Sequence, residues 1–153
     1  ILVNIDWCKK QNKGIKLIEP NINLSKEYME QAEETLDILR LIEGKSKTWL
    51  ATTKYYCEYF AVYSLLMKLG IRCEIHECTI KIIKLLEDEA IVPKDYSQIL
   101  EEDKELRIDN QYYLKNREVP LNYDQLTNFV LEIKDINLKI TENMIKKIRE
   151  KIK

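Results

Sequence analysis

Turn-forming residues are scarce. Three glycines and three prolines punctuate 153 residues, too few for an all-β chain with its many tight turns. Long helices joined by short loops are expected instead. Four cysteines, Cys8, Cys57, Cys73 and Cys78, are too few and too scattered to read as a disulfide framework. The longest stretch free of charge, Tyr59 to Met67, falls far short of the roughly 20 apolar residues of a membrane span. Ile1 to Asp6 lack the basic start and apolar core of a signal peptide. The expectation is a soluble, cytoplasmic protein that touches no membrane. A Gly-rich phosphate loop, a GxSxG elbow and an HExxH pair are all missing, which removes the common catalytic signatures. Charge of one sign is missing too: 25 basic residues face 26 acidic ones, for a net charge of −1. That balance does not suit a protein that coats nucleic acid, though a local patch is compatible with it.

What is present suits one helical domain. The hydrophobic share is 45% and the charged share 33%, enough for a core and for solubility. A short helix is expected within Ile1–Asn12, and residues 1–22 read as an N-terminal extension to a bundle over 23–153. The first long helix should open near Asn23 or Ser25, either able to accept free N–H groups. Met29, Ala32, Leu36 and Leu39 mark its apolar face, and Gly44 should end it. Trp49 to Leu69 carries only Lys54, Glu58 and Lys68 as charges. Trp49, Tyr56, Phe60, Tyr63 and Met67 share one face, and Leu50, Cys57, Ala61 and Leu65 another. A helix apolar on two faces must be covered on two sides, so this should be the central one.

Beyond Gly70, a connector over Ile71–Ile75 leads to a helix through Ile80, Ile83 and Leu86. Asp95 with Gln98 resembles a capping box opening a helix that runs to about Leu114. Asn122 with Gln125 repeats the pattern. Leu126, Phe129, Ile133, Ile136, Ile140, Met144 and Ile148 then trace one seam, which predicts a final helix of nearly thirty residues. The fold class is all-α: an antiparallel up-and-down bundle of five to six helices, with neighbours crossing at roughly 20°.

Cys73, His76 and Cys78, with Cys8 or Cys57 as a fourth ligand, have the residue types of a zinc site. There is no CxxC and no second histidine, so packing of the cysteines is the better reading and no metal or cofactor is expected. A Cys–His nucleophile pair meets a similar objection, because nothing orients the imidazole or supplies an oxyanion hole. Arg107, Asp109, Asn110, Gln111, Tyr112 and Tyr113 gather a guanidinium, a carboxylate, two amides and two phenols within two helical turns. Arg107 offers a forked donor for phosphate, and Tyr112 or Tyr113 a ring or hydroxyl. An Arg107–Asp109 contact would account for the same residues without a ligand. The aromatic stripe of the central helix reads as core. Five cations in Lys146–Lys153 against one acid suit a solvated helix end, with RNA or an acidic partner as the alternative.

Tyr55-Tyr56-Cys57-Glu58-Tyr59-Phe60-Ala61-Val62-Tyr63-Ser64-Leu65-Leu66-Met67-Lys68-Leu69-Gly70, followed by His76, resembles the HEPN domain family, as does Leu106-Arg107-Ile108-Asp109-Asn110-Gln111-Tyr112-Tyr113. The resemblance covers roughly Leu24 to Ile140. It implies a helical bundle that homodimerises, binds nucleotides or RNA, and pairs with a nucleotidyltransferase subunit in a toxin–antitoxin-like system. It also implies Lys54 and His76 as further binding residues beside Arg107, Asp109, Tyr112 and Tyr113. The family's metal-independent ribonucleases use an Arg and a His about four to six residues apart, for phosphate and proton transfer. Here Tyr112 stands where Arg107 would need its His, and Arg72 and His76 have three residues between them. Non-catalytic binding is therefore expected, with an endoribonuclease using Arg72 and His76 as the alternative. A purely structural interaction module is the third reading.

Overall fold

The computed structural model describes residues 1–153. Its elements run α1 (Ile5–Lys10), β1 (Lys16–Leu17), α2 (Ile22–Ile42), α3 (Lys47–Leu69), β2 (Ile71–Arg72), α4 (His76–Asp88), α5 (Tyr96–Gln111), α6 (Tyr123–Lys139) and α7 (Glu142–Ile152). The chain is predominantly helical, and α3 is its axis. Ser46 caps the start of α3 by accepting from Trp49 N–H at 3.1 Å. Gly70 ends it at φ +74°, a left-handed conformation that only glycine adopts cheaply. A Cβ on Gly70 would also strike Arg149 Nη1 and the Ile18 carbonyl oxygen.

Helices cover α3 on several sides, as its two apolar faces demand. Ser25 donates to the Ser64 carbonyl and Cys57 to the Ala32 carbonyl, so α2 runs antiparallel to α3. Thr48 meets Asn110 and Lys54 meets Asp103, so α5 is antiparallel as well. Lys47 pairs with Glu118, just before α6, and Asn137 donates to Ser64, so α6 runs parallel to α3. Tyr55, Leu65, Leu66, Met67 and Leu69 are among the most deeply buried side chains. Trp49 differs from expectation: it is 61% exposed, because position 49 faces outward while its neighbours Leu50 and Ala51 turn into the core.

Several expectations need correction. There are seven helices, because the long seam breaks at Ile140 and Thr141 accepts from Met144 N–H to start α7. Residues 1–22 pack onto the rest of the chain. Cys8 and Ile15 are buried, β1 pairs antiparallel with β2, and Asn21 caps α2. Cys8 and Cys78 form a disulfide that ties α1 to the first turn of α4; spacing of 70 residues gave no hint of it. Asp95 does not cap α5 with its side chain. Glu87 does so from α4, accepting from Ser97 N–H at 2.7 Å and Ser97 Oγ at 2.9 Å.

The basic tail is engaged internally. Lys147 and Lys151 pair with Glu89, and Arg149 binds three carbonyl oxygens. No helix is long and apolar enough to cross a membrane.

Candidate functional site

The helical repeat of α3 places Tyr55, Tyr56 and Tyr59 toward α4 and α5. His76, the first residue of α4, stacks on Tyr59 with ring centroids 4.2 Å apart and planes inclined by 17°. The Tyr55 hydroxyl and His76 Nδ1 share a hydrogen bond at 2.9 Å. Gly70 and the β2 turn aim the chain back so that α4 begins here. From α5, Arg107 enters the same ring cluster. Its guanidinium carbon lies 5.3 Å from the Tyr55 ring centre, 5.2 Å from that of Tyr56 and 5.7 Å from that of Tyr112, which is cation–π range.

Arg107 is only 8% exposed. Its Nη1 donates to the Tyr56 hydroxyl at 2.9 Å, while Nε is buried with no partner. No carboxylate forms an ion pair with it. Buried charges are ordinarily paired; this guanidinium instead meets one phenol hydroxyl and three aromatic rings. Burial, with the charges of Arg107 and Lys104, pushes the His76 imidazole down to about 4. The ring is neutral at pH 7. Burial likewise raises the Tyr55 and Tyr59 phenols above their ordinary value, so they stay protonated. Positive charge here comes from Arg107 and Lys104, and the surrounding donors are neutral.

The other expected residues are placed as follows. Tyr112 stands at the edge of the Arg107 cluster and is 63% exposed. Tyr113 is also exposed, under Lys115. Asp109 turns to Arg117 at 2.7 Å and Lys115 at 3.3 Å. The Arg117 hydrogen bond, with Lys115, holds its carboxyl below the usual range. The Arg107–Asp109 contact is therefore not made. Lys54 binds Asp103 at 2.8 and 2.9 Å. Arg72 lies on β2 with its side chain exposed, in neither a hydrogen bond nor an ion pair, whereas His76 faces the tyrosines.

The cysteine readings also change. Cys78 is in the disulfide, so it is no thiolate ligand or nucleophile there. Cys73 is buried, donates to the Ile75 carbonyl oxygen, and has its thiol pushed up by burial. No group of three His, Cys, Asp or Glu side chains is arranged to hold a metal ion. Sequence reasoning missed Tyr55, Tyr56 and Tyr59 as site walls: Tyr56 was assigned to the core with its stripe, and Tyr55 and Tyr59 were given no role. Their i, i+1, i+4 spacing beside an expected His-initiated helix was the available signal.

The chain matches no family model, no curated protein and no solved structure.

Proposed function

We propose that this chain is a HEPN-type helical protein that binds a nucleotide or nucleic acid without cleaving it. The observation that carries this reading is the buried Arg107 guanidinium, which has an unpaired N–H and no carboxylate partner. Guanidinium geometry suits phosphate oxygens. The adjoining rings, above all the exposed Tyr112, suit a stacked base. A phosphate on Arg107 with a base on Tyr112 uses both chemistries. Asp109 and Tyr113 lie outside that cluster, with Arg117 and Lys115, and His76 supplies a neutral ring N–H or lone pair according to its tautomer.

Titration with AMP and a short oligoribonucleotide tests the reading. Arg107→Ala should weaken binding at least about tenfold, as expected for loss of a charge-assisted phosphate contact. Tyr112→Ala, a surface change that leaves the core intact, should weaken it by about 1–3 kcal/mol. Unchanged affinity in both folded variants removes the site.

One observation favours the endoribonuclease alternative. Arg107 and His76 lie against the same Tyr55 ring, so an Arg–His pair is assembled in space that spacing alone did not offer. A histidine held near 4 is a weak base and is not an acid at neutral pH, which is why binding is preferred. Metal-independent cleavage of RNA that His76→Ala abolishes would reverse that preference.

The HEPN reading also carries the homodimer and the nucleotidyltransferase partner. Trp49, Tyr112, Tyr113 and Leu114 are exposed at the end of the molecule where Thr48 and Asn110 meet. That supports self-association beside the site.

A further inference from the structure

A second polar site lies one turn away, in a cavity of about 480 Å³ between α3, α5 and the start of α6. Leu121 and Phe129 contribute to its apolar wall, and Lys54, Glu58, Glu102 and Asp103 to its polar one. Glu58 sits on the apolar axis of the fold and is 1% exposed. Its Oε2 lies 4.0 Å from Lys54 Nζ, while Oε1 has no partner. Lys54 is committed to Asp103, both of whose oxygens it binds within 2.9 Å.

Lys54 therefore satisfies Asp103 and leaves Glu58 Oε1 without a donor, while Glu102, at the exposed rim, accepts from Gln98. With Lys54 and Asp103 cancelling, the carboxyls of Glu58 and Glu102 make the wall favour a cationic ligand over an anionic one. A divalent metal is disfavoured because Lys54 already occupies the position between the carboxylates. The remaining vacancy calls for an N–H donor with positive charge, and the cavity beside it calls for an apolar body.

We propose that this cavity binds a primary alkylammonium, with N–H groups donating to Glu58 and Asp103 and the chain lying against Leu121 and Phe129. Three donors on one ammonium match the free acceptors. Burial is the main cause that raises the Glu58 carboxyl well above its ordinary value, with Asp103 adding to it and Lys54 opposing it. Glu102 is the other ionisable side chain on the cavity wall; α6 and the residues before it contribute only amides and apolar groups. Cys57 and Tyr55, the titratable neighbours of Glu58 on α3, stay neutral. An arriving cation favours the carboxylate form of Glu58, so binding should release a proton and tighten as pH rises.

Calorimetry with hexylamine, with hexanol and hexanoate as neutral and anionic controls, tests the proposal. Near pH 8, hexylamine should bind one-to-one and at least about tenfold more tightly than either control. Glu58→Gln keeps the acceptor but not the charge. It should lose about tenfold near pH 8 and match the parent within about twofold near pH 5, where both side chains are neutral. Glu102→Gln, at the exposed rim, should weaken binding about threefold and does not put the fold at risk. Absence of hexylamine binding, equal affinity for hexanol, or unchanged affinity in both variants near pH 8 would overturn the site.

Discussion

Arg149 Nη1 donates to the Gly70 carbonyl oxygen at 2.8 Å, from a helix 79 residues further along the chain. The same nitrogen reaches Ile18 O at 2.8 Å and Leu69 O at 3.1 Å. One cation thus joins the end of α3, whose terminal carbonyls carry partial negative charge, to the N-terminal arm, alongside the Ile18 N–H that also donates to Gly70 O. Arg149→Met keeps the stem and removes the donors. A loss of about 1–3 kcal/mol is expected in urea unfolding, and an unchanged midpoint would show the contacts to be dispensable.

His76 should make stability fall in acid. Its folded value, about 4, lies below the ordinary 6.5, so between those values the unfolded chain takes up a proton that the folded chain refuses. Stability is therefore lost as pH falls from about 6.5 toward 4. His76→Gln should flatten that part of the profile in thermal melts. Because His76 is the only histidine, its ring resonance is unambiguous in NMR, and AMP at Arg107 should move its titration upward.

Glu58 should show the opposite sign. Its carboxyl is raised well above 4.5 by burial, so its contribution is present below 4.5 and is lost as pH rises toward its folded value. Glu58→Gln removes that penalty and should be at least as stable as the parent at neutral pH, the gap widening in its favour from pH 5 to pH 8. A variant several kcal/mol less stable would mean that Glu58 is an ionised partner of Lys54.

Reduction of the Cys8–Cys78 bond should lower the melting temperature. Closing a loop of 70 residues is worth roughly 4 kcal/mol in chain entropy. Replacing both cysteines by alanine should reproduce the effect of dithiothreitol, and calorimetry with and without reductant checks both.

Much of this fold could be read from local chemistry. The near absence of charge between Trp49 and Leu69 marked the axis, Gly70 its end, and Asn122 a cap that accepts from Gln125 N–H. Periodicity was blind to the break at Ile140, because the seam continues in step through Ile148 on either side of it. Capping of α5 by Glu87 depends on how α4 turns, which no short window contains.

The candidate site divides the same way. Arg107 and Tyr112 are near neighbours in sequence and were legible. The joining of Arg107 to His76 depends on two helices meeting at Tyr55. Lys54 and Glu58 were visible as two of three charges in an apolar stretch, yet their counterpart, Asp103, lies 49 residues from Lys54.

The Cys8–Cys78 bond closes a covalent ring around the hairpin of α2 and α3. A protease that nicks the exposed turn at Gly44 would leave both pieces attached, migrating as one band on a non-reducing gel and as two after thiol treatment. The tyrosine wall on α3 and its neighbour His76 would stay tethered through such damage, so the molecule could be cut there and keep its ring cluster assembled.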